Sequence, residues 1–409
     1  VIIQEVVGAS QPGNCFMPSF SGVARSINYY PLNNESPDDG VAEVAIGLGK
    51  YIVDGGLSLR FSPRHPRKAL QTSTLDLSLS STQTKIYAID TSTVTQNFKT
   101  DDGFNLVHKQ VQDFAGTGAL RYMVSTYDAA DNTLRDGDTG RGRRVVTFAN
   151  ILRDGAFPLA NALDFMLTAG SNAMDRQIEI EFAGMIDYTG KTKGRIYWLQ
   201  MRPIIDKKDY IDDALLHVDD NCLIMRSNTA LGHGNIDNIQ SIVYVRPENF
   251  NSANTPAIAT EIERINRKFA DEEKTYALIG PGRWGSSDNA LGIPVKWSDI
   301  SNARLIAESS LPGYKIEPSQ GTHFFHNLTS FGVAYFTVDP SSEQGIYDSA
   351  YLDTLDAQYE SDFVRVVKFE KPLKIAVNGM KGTGVICKPG IMTISSIDSD
   401  NDTTVTPNT

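Results

Sequence analysis

Residues 177–187, QIEIEFAGMID, and residues 195–205, RIYWLQMRPII, are two strand-like runs joined by YTGKTKG. The reading of this pair decides the first half of the chain. The linker has the Gly, Thr and Lys content of a hairpin loop. Side chains alternate along a strand, so Ile178, Ile180 and Phe182 share one face and Glu179 and Glu181 the other. In the second run Tyr197, Leu199 and Met201 lie opposite Trp198, Gln200 and Arg202. A half-buried strand therefore spends inward-facing positions on an amide and a guanidinium. If the hairpin is symmetric about its loop, Glu181 sits across from Gln200 and Glu179 across from Arg202, and the polar atoms converge on one patch.

Two carboxylates beside an amide and a guanidinium suit a metal-bound polyphosphate. Carboxylates hold a hard cation such as Mg²⁺ through oxygen, and a planar guanidinium binds phosphoryl oxygens by paired hydrogen bonds. The same spacing also describes a cross-strand ion pair on a solvated sheet face. Spacing alone leaves both readings open.

Working outward, FPLANALDFMLTAGSNA (157–173) places Leu159, Leu163, Met166 and Leu167 at helical spacing, which predicts an amphipathic helix packed on a sheet. The first 60 residues read as strands, VIIQEVV, SGVARSINYY and GVAEVAIGLGKYIVDGG, separated by Gly, Pro and Asn-Asn turns. Loops and short strands follow over 62–144, with basic patches SPRHPRK and GRGRR that read as solvated loops or local anion sites. After RIYWLQMRPII the charged KKDYIDDALLHVDD marks a boundary near residue 206. The second half holds a β-like SIVYV, a helix through IATEIERINRKFADEE, the Gly-rich YALIGPGRWGSSD, the strand- or turn-like GTHFFHNLTSFGVAYFTV and a late strand pair FVRVVKFEKPLKIAV. A flexible tail is expected over 396–409.

Composition narrows the function classes. A chain of 409 residues is long enough for two domains, and a formal charge of -11 disfavours a nucleic-acid backbone binder. The three cysteines, Cys15, Cys222 and Cys387, have no CxxC or zinc spacing, which fits thiols in a reducing, cytoplasmic compartment. No apolar run reaches the roughly 18 to 20 residues that span a bilayer, and VIIQEVVGAS lacks a signal-peptide layout, so no membrane partner is expected. The chain starts without Met on apolar residues, as if cut from something longer.

The E-I-E-F and L-Q-x-R-P pair resembles the end of the nucleotide-binding domain of the phosphoenolpyruvate synthase and pyruvate phosphate dikinase family, an ATP-grasp fold. In the same order, VIIQEVV resembles the family's Gln-containing strand, SGVARS its SGV strand and AEVAIGLGKYIVDGG its E-A-x-x-G-L-G-E-x-V-x-G segment. The resemblance covers residues 1–205, with insertions around 60–150. It implies ATP and Mg²⁺ as cofactors, Glu181 as a metal ligand, Gln200 as a nucleotide or metal contact and Arg202 as the group that stabilises the transferring phosphoryl. Glu179 falls in the same nucleotide-binding set. Glu43 matches the acidic residue before the GLG turn, which Gly47 and Gly49 would shape. Lys50 stands where the family usually has Glu. The resemblance also implies that this is the C-terminal lobe alone, with an N-terminal lobe carrying the phosphate-clamping Lys and Arg residues missing from the chain.

The second half resembles the family's swivelling domain only in fragments. GTHFFHNL matches its Thr-His dyad and would make His323 the phospho-acceptor, since a neutral imidazole nitrogen is a good phosphoryl nucleophile. His323 and His326 also read as a metal pair without a third ligand, or as two hydrogen-bonded histidines. GPGRWGSSD lacks the lysine of a P-loop; its backbone N–H groups could cup an anion beside Arg283 and Ser286, or form a tight turn with Arg283 stacked on Trp284 or Trp297.

The expected architecture is thus α+β: an ATP-grasp-like lobe over 1–205 and a second α/β domain over 206–395. The expected function is ATP- and Mg²⁺-dependent phosphoryl transfer toward pyruvate through a phosphohistidine. The rival expectation is a non-catalytic module that senses a nucleotide or metabolite, and a third is a related dikinase acting on another acceptor such as a glucan. The oligomeric state is open, a homo-oligomer included.

Overall fold

Every second residue of FSGVAR, VAEVAI and LRF is apolar or glycine, and these residues form the packed face of one five-stranded antiparallel sheet. In the computed structural model, which describes residues 3–32, 34–92, 103, 105–118, 120–187, 193–204, 211, 213–286, 288, 290–310, 323–342 and 345–390, the strands are β1 (Phe20–Arg25), β2 (Val41–Ile46), β3 (Leu59–Phe61), β4 (Ile178–Ile186) and β5 (Gly194–Pro203). Their order is β5-β4-β1-β2-β3. Phe20, Ala24, Ala42, Val44, Ile46, Leu59, Phe61, Ile178, Ile180 and Phe182 are all buried in a single core.

Helix α1 (Leu159–Met174) belongs to the same core and buries Leu159, Leu163, Met166, Leu167 and Gly170, the stripe expected from the 3.6-residue period. Each large apolar side chain so buried contributes about 1.5–3 kcal/mol. Gly170 lets the helix lie close to the sheet: a Cβ there would stand 2.4 Å from Ile178 Cδ1 and 2.9 Å from Met201 Sδ.

Three expectations for this half are corrected. Residues 3–7 of VIIQEVV form no strand, and Ile3 is 93% exposed. Gln200 and Arg202 do not point inward; β5 is an edge strand and both are exposed. The hairpin is also not regular throughout. Glu179 pairs with Arg202 and Glu181 with Gln200, as symmetry predicts, but Phe182 pairs with Trp198, so Leu199 is an extra residue in a β-bulge. The bulge moves Trp198 onto the face of Met201, and both stand beside Gly170 of α1. The hairpin loop 188–192 lies outside the described residues.

In the GLG turn only Gly47 is required by geometry. Its φ is 86°, and a Cβ would meet the Tyr87 carbonyl oxygen at 2.6 Å. Gly49 has φ -61° at the start of a short helix, Lys50–Val53, in which Lys50 pairs with Asp54 at 3.3 Å. The rest of this half forms a four-stranded and a three-stranded antiparallel sheet. One arginine of each basic patch is paired: Arg64 reaches Asp39 and Asp164, and Arg144 pairs with Asp138 at 2.9 Å.

The chain divides into two compact units, residues 1–28 with 34–204, and residues 29–33 with 205–409. The second unit is built on a six-stranded sheet of β6 (Ser241–Val245), β7 (Tyr276–Pro281), β8 (Ala303–Ser309), β9 (Ala334–Val338), β10 (Ala357–Glu360) and β11 (Val364–Lys368), ordered β9-β8-β7-β6-β11-β10. β6 to β9 are parallel, and their continuous apolar runs are those of strands covered on both faces. Helix α2 (Thr255–Asp271) connects β6 to β7 and buries Ile258, Ile262, Ile265 and Phe269. A second, antiparallel sheet takes in Leu223–Ser227, His233–Ile236, Ile346–Tyr347, Ile375–Asn378 and Thr383–Cys387.

FVRVVKFEKPLKIAV is therefore not a strand pair: Val364–Lys368 and Ile375–Asn378 belong to different sheets. The GTHFFHNL segment is helical in α3 (His323–Phe331), not a strand or turn. The tail 396–409 lies outside the described residues. The fold is mixed α+β. No helix among the described residues is long and apolar enough to cross a membrane.

Candidate functional site

The face of the first sheet turned away from α1 carries the polar residues. Antiparallel partners project to the same side, so the register fixes who stands beside whom. One rung runs through Gln200, Glu181, Val23, Glu43 and Arg60, one residue from each of the five strands. The neighbouring rung runs Arg202, Glu179, Arg25 and Val41. Glu181 and Glu43 are two strands apart, about 9–10 Å between backbones at normal strand spacing.

Glu179 is the structural centre of the second rung. It is 6% exposed, and its two oxygens go to different arginines. Arg25 Nε donates to Oε2 at 2.6 Å and Arg202 Nε donates to Oε1 at 2.9 Å, with Arg202 Nη2 on the same oxygen. Burial pushes the Glu179 carboxyl up, but the Arg25 and Arg202 guanidiniums override it and hold it below the usual range. Expected among the nucleotide contacts, Glu179 instead spends both oxygens on holding two guanidiniums side by side. Their outer edges stay in solvent, with side chains 53% and 59% exposed.

The first rung is chemically different. Glu181 is half-buried, Gln200 is exposed, and neither side chain makes a hydrogen bond among the described residues. Glu43 accepts from Ser58 Oγ at 2.7 Å. A Mg²⁺ ion is usually bound through one or two carboxylates together with substrate phosphates, not by a dedicated protein cage. The unengaged Glu181 carboxylate beside the Gln200 amide fits that pattern. Among the described residues no group of three or more His, Cys, Asp or Glu side chains forms a metal cage.

Sequence reading named Glu43, Glu179, Glu181, Gln200 and Arg202, and the sheet places all five on one face. It missed Arg25 and Ser58. Arg25 follows Val23 by two residues in SGVARS, so alternation assigns it to a face, but only the pairing of β1 with β4 sets it against Glu179. His323 lies in α3 of the second unit, and the side chains of His323 and His326 lie outside the described residues.

The tight turn expected at GPGRWG is not what forms: Gly280 and Pro281 end β7, and Arg283–Trp284 make a short strand paired in parallel with Gly292–Ile293, with Trp284 fully buried. The Trp284 indole N–H donates to the Ala307 carbonyl at 3.0 Å, and its backbone N–H donates to the buried Glu308 carboxylate at 3.0 Å. Tyr335 hydroxyl also donates to Glu308, at 2.5 Å. Trp297 stacks on Phe331.

Residues 1–216 match the family model described as the pyruvate phosphate dikinase, AMP/ATP-binding domain. The match is to that domain, the family's N-terminal one, so the narrower expectation of a C-terminal lobe alone gives way to it. No curated protein matches the chain.

Proposed function

This chain belongs to the pyruvate phosphate dikinase AMP/ATP-binding domain family, and we propose that its first unit binds ATP with Mg²⁺ on the polar face of β5, β4, β1 and β2, in an ATP-grasp manner. The observation that carries this reading is the pair of adjacent rungs: an unengaged carboxylate with an amide beside it, next to two guanidiniums fixed by one buried glutamate. Glu181 and Gln200 would hold the cation, which supplies charge neutralisation at the phosphates. Arg202 and Arg25 would bind phosphoryl oxygens. Because Glu179 already fixes their orientation, less side-chain freedom is lost when the anion arrives.

The reading extends to phosphoryl transfer, with Arg202 on the transferring group, since this chemistry rests on positioning and charge neutralisation. Pyruvate as acceptor and His323 as carrier are its outermost elements, supported by family membership and the Thr322-His323 dyad in the sequence. The free thiols of Cys15, Cys222 and Cys387 support a reducing, cytoplasmic setting. A second reading, nucleotide sensing without transfer, is favoured by Lys50, which replaces a family carboxylate and is engaged with Asp54.

Calorimetric titration of Mg-ATP into the full chain tests the site. Arg202→Ala and Glu181→Ala should each weaken binding by about tenfold, the loss of one charge-assisted contact; Glu181→Ala should leave thermal melting unchanged, whereas Arg202→Ala should also lower it, because it removes one of the two guanidiniums on buried Glu179. Equal affinity in parent and variants, or no binding by the parent, sinks the proposal. Labelling from γ-phosphate-labelled ATP separates transfer from sensing. Transfer through His323 requires labelling that is lost in His323→Ala and kept in His326→Ala.

A further inference from the structure

The second unit contains a cleft of about 430 Å³ that the nucleotide reading does not use. It opens where β6 and β7 begin, beside Ser241 and Thr275, and it is bounded by the last turns of α2 and by β10 and β11. Its volume is that of a small-molecule site. Ile265, Phe269 and Val366, all buried, form an apolar floor. Tyr359 forms one wall and is fixed there: its hydroxyl donates to Glu261 Oε1 at 2.7 Å and accepts from Arg264.

Two ammonium groups stand over this floor, those of Lys268 and Lys368. Lys268 Nζ lies 5.9 Å from the centre of the Tyr359 ring. Among the described residues neither lysine has an ion-pair partner, whereas Lys274 on the same rim pairs with Glu272 at 2.6 Å. The hydrogen bond and charge of Lys274, with smaller contributions from Lys368 and Lys268, hold the Glu272 carboxyl below its usual range; Lys268, Lys274 and Lys368 on the rim face the two carboxylates of Glu272 and Glu273, so cations outnumber anions by one.

An apolar floor with an aromatic wall selects a flat apolar body, and two uncommitted cations above it select a negative group at its edge. We infer that this cleft is a binding site for a small aromatic anion, with the ring on Phe269 and Val366 and its carboxylate, sulfonate or phosphate between Lys268 and Lys368.

The test uses the full chain and two fluorescent probes of similar shape, anionic 8-anilinonaphthalene-1-sulfonate and neutral N-phenyl-1-naphthylamine. The anionic probe should bind the parent saturably, at one equivalent. The double variant Lys268→Met/Lys368→Met, at two exposed positions, should weaken it about tenfold while leaving the neutral probe unchanged. Val366→Trp, which fills the floor, should abolish binding of both probes if circular dichroism shows the fold retained. The inference is overturned if the parent does not bind the anionic probe saturably, or if the double lysine variant binds it as tightly as the parent.

Discussion

Replacing Glu179 with Gln keeps the side-chain shape but removes the charge that Arg25 and Arg202 share. A hydrogen bond to a charged group is worth about 1.5–3 kcal/mol. Glu179 itself is buried, but the two arginine side chains are 53% and 59% exposed, so solvent screening reduces both contacts and their sum is set at about 2 kcal/mol. For a unit of this size that is a loss of about 4–8 °C in melting temperature. The pH dependence has a definite sign. The folded carboxyl titrates below its ordinary value of 4.5, so its stabilisation is complete above that value and is lost as pH falls through the depressed folded value. Thermal melts at pH 7, followed by circular dichroism, should therefore separate Glu179→Gln from the parent, and the gap should shrink steadily as the pH of the melts is lowered below 4.5. A variant that melts with the parent at pH 7, or a gap that persists undiminished in acid, would refute the assignment of Glu179 as the shared anchor.

Other consequences follow from backbone approach and buried polar atoms. A Cβ on Gly22 would stand 2.2 Å from Phe182 Cζ and 2.4 Å from the Glu43 carbonyl oxygen, so Gly22→Ala should cost about 3 kcal/mol; a urea midpoint like that of the parent would show that the strands can separate freely. Buried Gln83 accepts from the Ile46 backbone N–H at 2.8 Å and donates to the Ile46 and Lys85 carbonyls at 2.9 and 2.8 Å. Gln83→Leu should cost about 3 kcal/mol and speed hydrogen exchange at the Ile46 amide; continued protection there would rule out this anchoring role.

How much of this was legible in the sequence depends on the range of the interaction that decides each feature. The α1 stripe and the register of Glu179 and Glu181 with their partners were legible because both rest on local periodicity. The bulge at Leu199 was not, since one inserted residue leaves no compositional trace, and with it the side assigned to Trp198 was reversed. The exposure of Gln200 and Arg202 was misjudged for a related reason: alternation gives two faces but does not say which strand lies at an edge. Arg25 was invisible as a site residue because its partner is 154 positions away. In the second unit, apolar strands were recognisable, but FVRVVKFEKPLKIAV was assigned to a pair because adjacency in sequence is only a tendency toward adjacency in a sheet.

The bulged edge strand also constrains what the first unit can join. An edge offers unpaired backbone groups to any extended segment of another chain, and proteins blunt such edges with kinks and charge. Here Arg195, Gln200 and Arg202 are exposed along β5, the ladder is broken at Leu199, and the carbonyl of that extra residue is already taken by Gln4 Nε2 at 3.3 Å. The margin is thus guarded against strand addition and fibril-like stacking, and the polar broadside of the sheet can stay open to a small charged ligand without the chain becoming a template for its own copies.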